Sequence, residues 1–131
     1  MNKKFVFKKF EALTPLVEYI LSIKDLEALL LNGELGAGKT TLTAQIAKYL
    51  GETKTIISPT FNTILVYDKL VHIDAYKLKG DLFAYEDYFD NKLVVIEWAK
   101  NVAVNFEKFL EINVYFDKEQ NHVFEIVKEV R

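Results

Sequence analysis

The 131-residue chain has no cysteine. Disulfides, zinc–thiolate centres and thiol chemistry are therefore excluded. No apolar run approaches the length of a membrane span. The basic start Asn2-Lys3-Lys4 is not followed by a signal-peptide core, because Lys8, Lys9 and Glu11 interrupt it. The cytoplasm, without membrane attachment, is the expected location. A net charge of −2 does not suit a dedicated nucleic-acid binder, which is usually basic. Arginine is nearly missing: Arg131 is the only one, so no internal residue can offer a guanidinium to an anionic group. What remains is half hydrophobic and rich in aromatics, a composition that suits one globular domain over residues 1–131.

Three of the five glycines fall in one loop. The stretch Gly33-Glu34-Leu35-Gly36-Ala37-Gly38-Lys39-Thr40 fits G-x-x-x-x-G-K-[ST] at every fixed position, and Thr41 follows. Glycines let the backbone curl so that successive N–H groups point inward at crowded anionic oxygens. The helix opening near Lys39 adds its first N–H groups and partial positive charge. Lys39 would reach the β- and γ-phosphates, and the Thr40 hydroxyl would ligate Mg²⁺. The context agrees with the motif. An apolar run precedes it, and Leu42, Ile46, Tyr49 and Leu50 follow at helical spacing as one apolar face.

Elsewhere the pattern predicts more strands than helices. Phe5–Phe7, Leu26–Leu31, Ile64–Tyr67, Leu70–Asp74, Leu93–Ile96, Phe109–Phe116 and Val123–Val127 read as strands. A helix runs from about Leu13 to Leu21, with Thr14 as N-cap and Pro15 in its first turn, and Gly51 caps the helix after the loop. Asp81–Phe89 is helical or irregular, and its Tyr85, Tyr88 and Phe89 are expected in the core. Parallel strands need crossovers. The expected fold is therefore α/β: a three-layer, P-loop NTPase-like arrangement whose mixed sheet has a parallel core and antiparallel additions.

A phosphate loop needs a carboxylate from a neighbouring strand to hold the metal's shell. Leu93-Val94-Val95-Ile96-Glu97 ends in one, and Leu70-Val71-His72-Ile73-Asp74 offers a second. Strand carboxyl ends are where ligands bind in such sheets. The plainer alternatives are a loop cap or a lysine pair. His72 reads as structural, since two ligands do not make a metal site. His122 reads as a surface residue. The spacing leaves Trp98 open between stacking on a ligand or partner and simple packing.

Gly33–Thr40, Ser58-Pro59-Thr60-Phe61, His72-Ile73-Asp74-Ala75-Tyr76 and Ile96-Glu97-Trp98, in this order, resemble the TsaE (YjeE) family over nearly the whole chain. The resemblance implies a slow ATPase with Mg²⁺. It would act with the TsaD–TsaB transferase in making threonylcarbamoyladenosine in tRNA, meeting tRNA only through that complex. It also implies roles: Lys39 and Thr40 on phosphate and metal, Thr60 as a switch-like threonine, Asp74 in hydrolysis, Glu97 as the metal acid, and Trp98 at a position tied to function. The chain departs from the family at Glu34 (usually Asp), Lys77 (usually Arg) and Ala99 (usually Pro). Lys77 matters most, because lysine keeps the charge and loses the bidentate fork.

Three other readings compete. A GTPase needs a guanine-reading N-K-x-D, and Asn91-Lys92-Leu93-Val94 lacks its aspartate. A small-molecule kinase needs an acceptor pocket, usually rich in arginine. A nucleotide-stabilised assembly module needs no hydrolysis at all.

Overall fold

The computed structural model describes residues 2–34, 36–57 and 63–131. Its elements in chain order are β1 (Lys3–Phe7), α1 (Thr14–Leu21), β2 (Ala28–Gly33), α2 (Lys39–Tyr49), β3 (Ile64–Val66), β4 (Leu70–Asp74), β5 (Leu93–Glu97), β6 (Phe109–Phe116) and β7 (His122–Val130). The strands form one sheet in the order β1-β7-β6-β2-β5-β4-β3. The four central strands, β6, β2, β5 and β4, are mutually parallel. Antiparallel β3 extends one edge, and the antiparallel β7 and β1 extend the other. This is the mixed sheet with a parallel core that the patterning predicts.

The central strands are apolar on both sides, as a sheet covered on both faces requires. Leu29, Leu31 and Val95 project into one core, which also receives Leu16 and Ile20 of α1 and Leu42 and Ile46 of α2. Leu30, Ile73 and Ile96 project into a second core on the opposite face. Among the described residues no α-helix covers that face. The crossovers between β4 and β5 and between β5 and β6 do so with short 3₁₀ turns at Phe83–Tyr88 and Ala99–Asn101. Leu82, Ala99 and Val102 from these segments fill the second core.

Several local expectations shift in the structure. Leu13, not Thr14, occupies the N-cap of α1, and its backbone N–H donates to Gln45 Oε1 of α2 at 2.8 Å. No side chain caps the first turn; the neighbouring helix holds the N–H of the N-cap residue instead. β2 starts at Ala28 rather than Leu26. Tyr49 and Tyr88 are about half exposed instead of buried, while Tyr85 and Phe89 pack against the second core. Gly51 does end α2. With φ +84° it sends its N–H to Lys48 O, and Glu52 N–H reaches Ala47 O, the paired bonds of a Schellman motif.

β2 is the middle of the parallel set, with β5 on one side and β6 on the other, so the loop leaving it sits where the connections diverge. Gly33 ends β2 with φ +151°, and a Cβ there would lie 1.9 Å from the Val114 carbonyl oxygen of β6. Gly36, with φ +80°, faces open space. Gly33→Ala should therefore cost about 3 kcal/mol, because backbone must move. Gly36→Ala should cost about 1 kcal/mol, the conformational penalty alone. Denaturant midpoints of the two variants test this; equal losses would refute the packing argument.

Candidate functional site

The loop between β2 and α2 is curled around the Lys39 side chain. Its ammonium donates to the carbonyls of Gly33 (2.7 Å) and Glu34 (2.8 Å), and Lys39 is only 4 % exposed. An ammonium has three N–H groups, so one remains beyond these two bonds. Burial draws the Lys39 pKa below its ordinary value, while the negative charges of Glu97, Asp74 and Glu34 pull it back up. The cation also lies 5.0 Å from the centre of the Trp98 ring.

Gly38 is the N-cap of α2 and carries no side chain to bond the first turn. The opening N–H groups of that helix, at Lys39 and Thr40, are thus of the kind that ordinarily seek an anion. Gly38 takes φ +124°, and a Cβ on it would press on the Phe124 ring at 3.1 Å. His122, expected at the surface, instead stands behind the loop. Its Nδ1–H donates to the Ala37 carbonyl at 2.8 Å, and its ring packs beside Phe116. Ala37 itself is fully buried.

The second half of the site comes from β4 and β5. Their parallel register pairs Asp74 with Glu97 and His72 with Val95. Residues two apart share a face, so His72, Asp74 and Glu97 all project on the side that carries α2. The Thr40 hydroxyl donates to Glu97 Oε2 at 3.2 Å. His72, fully buried, places Nε2 at 2.5 Å from the same oxygen. Asp74 Oδ1 accepts the Tyr76 N–H at 2.9 Å, which turns the chain directly after β4. The Ala75 N–H donates to the Glu97 carbonyl, so the two strand ends are tied together.

Immediately past Glu97, Trp98 adopts φ +58°, a left-handed conformation that costs a bulky residue about 1–2 kcal/mol. The turn brings its ring over Lys39 and edge-on to Tyr76, with centroids 5.0 Å apart. Asn32, 8 % exposed at the end of β2, braces this turn. Its Oδ1 accepts the Lys100 N–H, and its Nδ2 donates to Glu111.

The structure thus brings together Gly33, Glu34, Gly38, Lys39, Thr40, Asp74 and Glu97. Gly36 and Ala37 lie in the same loop, and Thr41 follows in the first turn of α2. Thr60 and Leu35 lie outside the described residues. The sequence gives no sign of the His122 and Asn32 contacts, which join residues 85 and 68 positions apart. A lone polar residue closing the apolar run Leu29–Leu31 is the one hint for Asn32. Among the described residues no three His, Cys, Asp or Glu side chains converge on a point.

Comparison with known proteins bears on the fold and on the family. The crystal structure of Bacillus subtilis YdiB superposes with a TM-score of 0.62 over 98 % of this chain and 88 % of that one, at 24 % identity, which supports the shared fold. The tRNA threonylcarbamoyladenosine biosynthesis protein TsaE of Rickettsia prowazekii is 35 % identical over 109 residues, 76 % of this chain and 72 % of that protein. Its namesake in Rickettsia conorii is 42 % identical over 88 residues, 60 % of this chain and 50 % of that protein. That in Bacillus subtilis is 39 % identical over 80 residues, 56 % of this chain and 51 % of that protein. The matches thus span about half the length of the latter two relatives. A family model described as threonylcarbamoyl adenosine biosynthesis protein TsaE matches residues 7–124. With nearly the whole chain matched in sequence, the protein belongs to the TsaE family.

Proposed function

We propose that the chain binds ATP with Mg²⁺, hydrolyses it slowly, and serves threonylcarbamoyladenosine formation in tRNA beside the TsaD–TsaB transferase. The observation that carries the reading is the Thr40–Glu97 hydrogen bond, which joins the first turn of α2 to the end of β5 directly beside the buried Lys39. The donor set suits a triphosphate with a hard cation: N–H groups and an ammonium for phosphate oxygens, a hydroxyl and a carboxylate for the metal. A magnesium ion shared with phosphate needs few protein ligands, which agrees with the lack of a three-residue cluster among the described residues.

In this reading Gly33 to Thr41 cradle the phosphate chain, and the spare N–H of Lys39 meets it. Thr40 and Glu97 would hold Mg²⁺, which would neutralise charge developing on the phosphate oxygens. Asp74, at the mouth of β4, would orient a water and take its proton as the water oxygen bonds to the γ-phosphorus. The bond to the β-phosphate oxygen then breaks, leaving ADP and inorganic phosphate. No guanidinium assists from within. Arg131 is engaged by Glu129 and the Tyr19 hydroxyl, where β7 meets α1. Arginine fingers contribute about 10³–10⁵ in rate, so the isolated protein should turn over slowly and gain from a partner.

Two measurements test the reading. Trp98 is the only tryptophan and lies against Lys39, so ATP with Mg²⁺ should change its emission. Lys39→Ala should weaken the ATP dependence of that change at least tenfold, roughly the value of one charge-assisted bond; a flat emission in the wild type would count against nucleotide binding. Second, Asp74→Ala should lower steady-state hydrolysis about 10²-fold or more while ATP affinity holds within about threefold. The same variant should still join TsaD–TsaB yet fail to support tRNA modification. Full modification by Asp74→Ala would favour an assembly module in which hydrolysis is dispensable.

A further inference from the structure

His72 is the one fully buried titratable side chain in the second half of the site, and the mechanism above gives it no task. Its contacts are lopsided. Nε2 lies 2.5 Å from Glu97 Oε2, whereas Nδ1 is buried with no hydrogen-bond partner among the described residues. A carboxylate oxygen only accepts, so Nε2–H donates to Glu97.

That geometry divides the two carboxylate oxygens. Oε2 receives both His72 from β4 and Thr40 from α2. Oε1 accepts no hydrogen bond among the described residues. Two donors arriving from different elements fix the plane of the carboxylate. A leucine would fill the space without the unpaired nitrogen, so packing alone is a poor reason for an imidazole here.

We propose that His72 is a positioning residue that holds Glu97 with one oxygen engaged and the other presented to the divalent cation of the bound nucleotide. The inference rests on the nucleotide reading and adds the group that orients the metal acid. Outer partners of metal-binding carboxylates commonly account for 10- to 100-fold in metal affinity.

The test compares His72→Leu, His72→Asn and His72→Gln, with ADP as probe. Calorimetry is run in EDTA and across a Mg²⁺ titration, and Mn²⁺ binding to the ADP complex is followed by electron paramagnetic resonance. A glutamine amide nitrogen reaches about as far as Nε2, and an asparagine amide stops at the depth of Nδ1. Leucine and asparagine should raise the Mg²⁺ concentration for half-maximal ADP tightening about 10- to 100-fold. They should leave ADP affinity in EDTA within about twofold of wild type. Glutamine should restore Mg²⁺ dependence to within about threefold. If His72→Leu does not fold, the asparagine–glutamine pair decides alone. Wild-type Mg²⁺ dependence in the leucine or asparagine variant, equal behaviour of asparagine and glutamine, or a matching loss in EDTA would each overturn the assignment. A wild-type protein that binds ADP neither with nor without Mg²⁺ overturns the nucleotide reading itself, and this inference with it.

Discussion

A buried ammonium must be surrounded by oxygen and π density, and the site is organised around how Lys39 obtains them. Two carbonyls come from the loop that precedes it, and an aromatic face comes from the turn after β5. Negative charge comes from Glu97 and Asp74 on two neighbouring strands and from Glu34 in the loop. No single element could supply this set. The lysine therefore draws the ends of β2, β4 and β5 and the start of α2 onto one point. Placing a cation there is costly, and a fold that bears the cost has acid and loop fixed relative to one another in advance.

The parallel order of the central strands is what makes the convergence possible. In a parallel set every carboxyl end lies at the same edge, so Gly33, Asp74 and Glu97 emerge side by side. The chain meets this requirement economically on the second face. Where a crossover helix would ordinarily run, two irregular segments with 3₁₀ turns return the chain, and they interlock through the Ala103 N–H and the Gly80 carbonyl. The fold is thus rich in strands and short in helices, as the patterning predicts.

What could be read from the residues alone was whatever is encoded locally. The glycine-rich loop, the apolar run of β5 ending in Glu97 and the glycine stop of α2 each carry their signal within a dozen positions. The edges of that legibility are equally physical. Leu13 caps α1 through Gln45, a residue on another helix, so Thr14 looked like the cap. Tyr49 continues the apolar spacing of α2 but stands about half exposed. His122 reads as a polar residue near a turn, and only the antiparallel pairing of β6 with β7 carries it behind Ala37. Trp98 could be placed in sequence, but its ring direction follows from a left-handed backbone that no residue type announces.

The support that β7 gives the loop has a temporal side. Ala37 and the imidazole that holds its carbonyl are 85 residues apart, so during synthesis the loop leaves the ribosome long before its brace exists. β1 is in the same position, since its only neighbour in the sheet is β7. Contacts of such separation close late. The bond that holds the Ala37 carbonyl can therefore form only once the β6–β7 hairpin is in place.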